Sequence, residues 1–329
     1  MKFQGVKLSG TGAYAPEKVV TNDDLAKIVD TSDEWIQTRT GIRERHIAAE
    51  GENTSDLAVE AAREALEDAN IAAQDLELII VATLTPDKPF ANTGSLVQAK
   101  LDNTKAMAFS VEAGCTGFVY IYEIAAGMIA SGLYKNALIV GAEKLSSVAN
   151  WEDRTTCVLF GDGAGAAVLT ATAGEENGYL GSNMGSDGNY SDILHIPGGG
   201  TSLPITVENY HEGHQFLQMK GQEVFKLAVN AMANSAKSVL EEAGLTVDDI
   251  DIVIPHQANV RIINAVGKKI GVPEDKVYIN VDRYGNTSAA TIPIALRELV
   301  EAGRVQKGTK ILMVAFGGGL TWGASLIEC

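Results

Sequence analysis

Cysteine is scarce in this chain. There are three in 329 residues, Cys115, Cys157 and Cys329, and no Cys-x-x-Cys. An odd set without paired spacing offers neither a disulfide framework nor a zinc site, and it points to a reducing cytoplasm. Long apolar runs are missing as well. The stretches 78–84 and 311–316 have the length of strands, far short of the roughly 20 residues a membrane-crossing helix needs. The opening Met-Lys-Phe-Gln-Gly-Val-Lys lacks the apolar centre of a signal peptide. Positive charge is in the minority, 26 Lys and Arg against 42 Asp and Glu. The resulting net charge of −16 sets the average field against nucleic acid. No His-Glu-x-x-His, Walker loop or calcium loop occurs, so no metal is expected. Gly161-Asp162-Gly163-Ala164-Gly165-Ala166 resembles a dinucleotide fingerprint only superficially. A strand-like run follows it instead of a helix, so it is expected to be a structural turn.

What the chain does contain is a copy of itself. Leu-Glu-Asp-Ala-Asn-Ile-Ala-Ala-Gln-Asp-Leu-Glu-Leu-Ile-Ile, from Leu66, returns as Leu-Glu-Glu-Ala-Gly-Leu-Thr-Val-Asp-Asp-Ile-Asp-Ile-Val-Ile, from Leu240. Gly114-Cys115-Thr116 matches Gly285-Asn286-Thr287, Gly132 matches Gly303, and Gly5 and Gly12 match Gly178 and Gly185. Near-constant offsets across these landmarks argue for duplication with small loop insertions. The expected halves are residues 1–174 and 175–329.

Each half reads as strand, helix, strand, helix, strand, the βαβ pattern of a mainly parallel sheet covered by helices. Helices are expected over 55–70, 116–131, 225–243 and 287–302. Strands are expected over 78–83, 106–111, 137–141, 250–254, 277–281 and 311–316. Glycine-rich turns at 161–165 and 317–323 are expected to precede the final strands. The segments 11–52 and 183–214 do not fit the repeat and are expected to carry loops specific to each half, where substrate contacts commonly lie.

The duplication sets a nucleophile against an amide. Cys115 follows one expected strand and opens a helix whose first turns lack charge, a place where backbone amides favour the thiolate. Asn286 holds the equivalent position in the second half. His256 follows the expected strand 250–254 and matches Ala82, so it breaks the symmetry. Taken singly, each has a plain structural reading: an inert buried thiol, a hydrogen-bonded histidine, a helix N-cap. Together they lie beyond carboxyl ends of strands, where parallel α/β sheets bind ligands. A second feature is basic. Arg261, Lys268 and Lys269 stand seven and eight positions apart with no acid among them, either a solvated helix face or a docking stripe.

Four segments in combination carry a resemblance to a known family. Ala-Gly-Cys-Thr-Gly-Phe, Pro-His-Gln-Ala-Asn, Tyr-Gly-Asn-Thr-Ser-Ala-Ala and Gly-Gly-Gly-Leu-Thr-Trp-Gly-Ala, with Asp-Thr-Ser-Asp-Glu-Trp-Ile-Gln-Thr-Arg-Thr-Gly-Ile from Asp30, resemble β-ketoacyl-acyl carrier protein synthase III over nearly the whole chain. The resemblance implies an α/β, thiolase-like fold: duplicated βαβαβ halves in a layered αβαβα architecture with pseudo-twofold symmetry. It implies an initiating condensing enzyme of fatty-acid synthesis with no cofactor. Cys115 would take an acyl group from acyl-CoA, acetyl-CoA being the expected primer. Malonyl-acyl carrier protein would then lose CO₂ and attack, with His256 and Asn286 supporting the enolate and the amides of Cys115 and Gly318 holding the oxyanion. It further implies Trp35 and Arg154 around the CoA adenine, Arg39 near its phosphates and Asn259 beside the pantetheine. Phe90 would reach into a partner subunit's acyl pocket, and Arg261, Lys268 and Lys269 would dock the acidic carrier protein. Ala-Gly-Cys-Thr departs from the family's usual Ala-Ala-Cys-Ser or Ala-Ala-Cys-Ala, conserving small size. The alternatives are a specialised ketoacyl or polyketide synthase with another primer, a cysteine hydrolase and a non-catalytic acyl-CoA binder. Ala113, where a hydrolase elbow has glycine, counts against the hydrolase.

Overall fold

The repeated segments adopt the same series of elements. The structure is a computed structural model that describes residues 4–172 and 177–329. The expected boundary between the halves, at 174 and 175, lies outside the described residues. In the first copy, helix α2 (Thr54–Ala69) opens on an Asn53–Asp56 capping box and ends at Asn70 with φ 52°. A 3-10 turn (Ala73–Asp75) and strand β2 (Leu78–Ala82) follow. In the second, helix α5 (Gly221–Glu242) ends before Gly244, φ 68°, and a 3-10 turn (Val247–Asp249) leads into β7 (Ile252–Pro255). Asn and Gly are the residues that enter the left-handed region at least cost, so both copies stop their helix in the same way.

The remaining elements build two mixed sheets. The first holds β1 (Gly5–Tyr14), β3 (Met107–Val111), β4 (Asn136–Lys144) and β5 (Asp162–Thr172) with β2, in the order β1-β5-β4-β2-β3. The second holds β6 (Tyr179–Ser186), β8 (Lys310–Gly317) and β9 (Thr321–Glu328) with β7, in the order β7-β8-β9-β6. The first has three parallel strands (β3, β2 and β4) and the second a parallel pair (β7 and β8), each extended by two antiparallel strands.

Between the sheets run α4 (Gly117–Ala130) and α7 (Thr291–Glu301). Their Phe118, Ile121, Ala125, Ile292, Leu296 and Leu299 pack with Ile80, Ile254 and Met313 from both sheets. The outer face of the first sheet is covered by α2, through Leu57, Ala61 and Ala65 on Ile79 and Val140. The outer face of the second is covered by α5 and α6 (Val260–Ile270), through Met232, Val239 and Val266 on Val253 and Leu312. Helix, sheet, helix, sheet and helix thus make five layers. Strands buried on both faces read as unbroken apolar runs, as Leu-Ile-Ile-Val-Ala in β2 does.

Three expectations change. Gly161–Ala166 is not a turn, because residues from Asp162 onward are the start of β5. Its glycines are there for packing: a Cβ on Gly165 would lie 2.7 Å from the Ile294 amide nitrogen and the Pro293 side chain, so only a bare backbone lets the strand meet α7. The expected strand 277–281 is reduced to a single bridge, Val253 to Val277, followed by a short helix (Val281–Tyr284). Side chains take the backbone groups a longer ladder would use. Gln257 Nε2 donates to Tyr278 O at 3.1 Å, and the Asn280 amide donates to Gln257 Oε1 at 3.0 Å. The segments 11–52 and 183–214 begin inside β1 and β6 before leaving the repeat. The first then forms a hairpin (Lys18–Thr21 with Glu44–Ile47) and helix α1 (Asp33–Thr40). Among the described residues no helix is long and apolar enough to cross a membrane.

Candidate active site

Cys115 sits in a 3-10 turn (Gly114–Thr116) between β3 and α4. Gly114 has φ 53°, which lets the chain reverse sharply ahead of the thiol. The final β-hairpin bolts this turn in place. Thr321 Oγ1 donates to Ala113 O at 2.9 Å, and Thr116 Oγ1 donates to Thr321 O at 3.2 Å. The fit is tight enough that a Cβ on Gly317 would stand 2.5 Å from the Cys115 amide nitrogen. Gly318 follows directly, and its amide lies beside Gly114. The thiol itself is buried. Desolvation outweighs the favourable helix start here: burial pushes Cys115 up to about 12, while the Ser288 hydroxyl pulls it down. Burial therefore favours the thiol, against the thiolate that the position of Cys115 in the chain favours.

His256 follows β7 and is pinned twice. Its amide donates to Val314 O at 2.7 Å, and its Nδ1 lies 2.8 Å from Thr291 Oγ1. Thr291 also lies 3.0 Å from Ser288 O as a donor. Burial pushes His256 down to about 3, so the ring is neutral. When the Thr291 proton goes to Nδ1, the tautomer is fixed with its proton on Nε2. Asn286 is held by backbone bonds on both sides, its amide to Leu159 O at 2.8 Å and its carbonyl from the Gly161 amide at 3.1 Å. It is not the cap of α7, which starts at Thr291. Its Oδ1 instead accepts from the Ser288 amide at 2.8 Å, which leaves Nδ2 as the free donor.

Cys115, His256, Asn286, Ser288 and Gly318 line one cavity of about 1170 Å³, which also reaches Trp35, Arg39, Asn259 and Arg261. Asn259 is the N-cap of α6, its Oδ1 accepting from the Ile262 amide at 2.9 Å. Arg39 and Arg154 both stack on Trp35, with guanidinium carbons 5.0 and 5.3 Å from the ring centroid, within cation–π range. Arg154 also donates to Asp30 O at 2.8 Å. Phe90 lies outside this cavity, 94% exposed on the loop after β2. Lys268 and Lys269 are exposed on α6 two turns from Arg261, and none of the three makes an ion pair among the described residues. No three His, Cys, Asp or Glu among the described residues converge to hold a metal ion.

Sequence reasoning missed Glu143, Ser288 and Thr291. Glu143 is fully buried near the end of β4. It accepts from Thr85 Oγ1 at 2.6 Å, and from Thr83 Oγ1 and the Leu84 amide at 3.2 Å. Burial nevertheless pushes its carboxyl up to about 7. The signal was legible: an acid in the otherwise apolar Ala-Leu-Ile-Val-Gly-Ala-Glu is out of place in a strand buried on both faces. Ser288 and Thr291 give no such signal, because hydroxyls near a helix start are ordinary.

Two family models match the chain: 3-oxoacyl-[acyl-carrier-protein] synthase III over residues 109–188, and its C-terminal model over residues 240–329. The β-ketoacyl-[acyl-carrier-protein] synthase III of Caldanaerobacter subterraneus subsp. tengcongensis is 54% identical over 97% of this chain and 96% of its own length. The crystal structure of the Aquifex aeolicus 3-oxoacyl-[acyl-carrier-protein] synthase III superposes with a TM-score of 0.91, at 50% identity, over 99% of this chain and 100% of that one. The priming β-ketosynthase of the R1128 polyketide pathway superposes with a TM-score of 0.92 at 34% identity, over 99% of this chain and 97% of that one.

Proposed function

The chain belongs to the β-ketoacyl-acyl carrier protein synthase III family and is a condensing acyltransferase with a thiolase-like fold, and from that premise we propose how its residues divide two half-reactions. In the first, Cys115 Sγ attacks the thioester carbonyl of an acyl-CoA, with acetyl-CoA the expected primer. The backbone amides of Cys115 and Gly318 receive the oxyanion, and the bond to the CoA sulfur breaks. In the second, malonyl-acyl carrier protein loses CO₂, and the enolate oxygen takes hydrogen bonds from His256 Nε2 and Asn286 Nδ2. The enolate carbon attacks acyl-Cys115 and leaves as 3-oxoacyl-acyl carrier protein.

One observation carries this reading. The Ser288 amide occupies Asn286 Oδ1, which turns the amide beside the thiol into a donor, and the neutral His256 ring is a donor through Nε2 in the tautomer whose Nδ1 accepts from Thr291. Two neutral donors suit an oxygen that gains charge only as CO₂ departs.

For the CoA end, Trp35 and Arg154 clamp the adenine, Arg39 lies near the phosphates and Asn259 beside the pantetheine. At 5.3 Å from the Trp35 centroid, Arg154 must swing outward to admit a base. Arg261, Lys268 and Lys269 meet the acidic carrier protein. A homodimer is supported by the exposed Phe90 and by β3, which forms an unpaired edge of its sheet among the described residues. Three free thiols fit a cytoplasmic setting. A second reading, a specialised polyketide-priming synthase, is kept by the 34% identical structural neighbour; it uses the same site and differs in primer.

The test is sequential. Acetyl-CoA alone gives a Cys115 acyl adduct by intact mass, and malonyl-acyl carrier protein then gives CO₂ and 3-oxoacyl product. Rapid hydrolysis without condensation overturns the synthase assignment, and a strong preference for a longer primer moves it to the specialised reading.

A further inference from the structure

Arg45 is a fully buried arginine that neither half-reaction uses. It stands on the second strand of the hairpin Lys18–Thr21 with Glu44–Ile47. That strand lies against the short helix Val281–Tyr284: the His46 and Tyr284 rings stack, and the Arg43 amide donates to Asp282 O at 2.9 Å. Arg45 fills the place where this helix meets the segment 158–161. A Cβ on Gly161 would lie 3.1 Å from the Arg45 Cβ, and one on Gly285 would lie 3.3 Å from it. The guanidinium is spread over three neutral oxygens. Nη1 donates to Val20 O at 3.1 Å and to Asn22 Oδ1 at 2.9 Å, and Nη2 donates to Val158 O at 2.9 Å.

The charge is costly where it stands. Burial pushes the guanidinium down to about 10, Nε has no partner, and Arg45 makes no ion pair among the described residues. A buried charge without a counter-ion opposes folding, so stability alone is a poor reason for an arginine here. What the guanidinium reaches supplies another. Val158, Leu159 and Phe160 line the cavity. The carbonyl after the one Arg45 holds, Leu159 O, accepts from the Asn286 amide at 2.8 Å, and the Gly161 amide donates to Asn286 O at 3.1 Å. We propose that Arg45 is a positioning residue for Asn286: it fixes the Val158 carbonyl, and through the segment 158–161 it sets the place from which Asn286 Nδ2 meets the enolate oxygen. The inference rests on the reading of Asn286 as an enolate donor.

The three site residues are held by different parts of the fold. The Cys115 turn is held by Thr321, and His256 is held by Val314 O and Thr291. Only Asn286 has its backbone bonded to Leu159 and Gly161. Loosening Arg45 therefore displaces one enolate donor and leaves the attacking thiol in place. Lysine cannot stand in for it, because a single ammonium lacks the planar fork that reaches Asn22 on one side and Val158 on the other.

The experiment compares wild type, Arg45→Lys, Asn286→Ala and the double variant in two assays. One is Cys115 acylation by saturating acetyl-CoA, read by intact mass. The other is CO₂ release from malonyl-acyl carrier protein by the acylated enzyme. Arg45→Lys is expected to acylate within about threefold of wild type and to release CO₂ about 30-fold more slowly, less than the outright loss of an oriented donor. Added to Asn286→Ala, the same change is expected to slow CO₂ release by less than about twofold more, because residues that act through one another are not additive. Hydrogen exchange reads the clamp without turnover: Arg45→Lys is expected to exchange faster over 158–161 and 284–288 and to match wild type over 113–117. Should Arg45→Lys fail to fold, Asn22→Ala removes one guanidinium acceptor and is expected to show the same split at about fivefold. The inference is overturned if both steps slow by the same factor, if the effect on CO₂ release is undiminished beside Asn286→Ala, or if exchange over 158–161 does not rise. An Asn286→Ala enzyme that releases CO₂ at the wild-type rate instead overturns the enolate reading of Asn286, and the exchange comparison then decides separately whether Arg45 holds the loop.

Discussion

Asn286 and Ser288 are two residues apart, and the hydrogen bond between the amide oxygen of one and the backbone nitrogen of the other decides what Asn286 can do. With Oδ1 occupied, the side chain offers only donors to the cavity. Those donors matter where an enolate forms and contribute little where a thiol attacks. Asn286→Ala is therefore expected to keep Cys115 acylation within about threefold while slowing decarboxylative condensation by about 100-fold or more, the usual effect of losing one oriented donor. Adduct formation and CO₂ release, measured separately on the same preparation, check this. Equal loss of both steps removes the division of labour between the two halves.

At the scale of elements, the Cys115 turn is gripped by the hairpin of β8 and β9. A methyl group on Gly317 would stand 2.5 Å from the Cys115 nitrogen, so it must push that amide out of place. Gly317→Ala is expected to lose at least about 100-fold in acylation with the fold retained, which circular dichroism and adduct mass together test. On α6, Lys268 is exposed and outside the cavity wall, so a change there tests the proposed carrier docking apart from catalysis. Lys268→Glu is expected to raise KM for malonyl-acyl carrier protein by about tenfold and leave KM for acyl-CoA unchanged. A parallel rise in both counts against docking there. Much of this level was legible in the chain, because apolar runs, left-handed Asn70 and Gly244, and the glycines that close helices are local signals. What was illegible depends on contacts far along the chain. The segment 277–281 carries strand residues, but Gln257 takes its backbone groups. Gly161–Ala166 has the composition of a turn, but its glycines answer to the proximity of α7. Cys115, His256 and Asn286 were found through the repeat. Ser288 and Thr291 were not, since only the folded cavity brings the Ser288 amide to Asn286 and the Thr291 hydroxyl to His256.

For the whole molecule, two buried titratable groups pull acid stability in opposite directions. Glu143 has its pKa raised from 4.5 to about 7, so the folded state binds more protons than the unfolded one in that window. Its contribution is fully present below about 4.5 and is lost as the pH rises through about 7. His256 is lowered from 6.5 to about 3, so the folded state binds fewer protons there, and its effect is the reverse. Between about 4.5 and 6.5 the two slopes largely cancel. Glu143→Gln should uncover the histidine slope. The stability of wild type relative to this variant is expected to fall by about 1.4 kcal/mol per pH unit from about pH 4.5 to about pH 7, read by thermal or urea unfolding at each pH. A difference flat with pH means that the carboxyl is not held protonated by its burial. The placement of β9 has a further consequence, one of timing. Thr321 and Gly318 stand within the last twelve residues of the sequence as given, while the turn they hold is near residue 115. During synthesis the first half emerges first, so the Cys115 turn is made before the Thr321 hydroxyl that clamps it. On the proposed mechanism, a chain whose β9 has not yet folded carries the thiol but not the complete oxyanion site, and reactivity toward thioesters requires that hairpin to close.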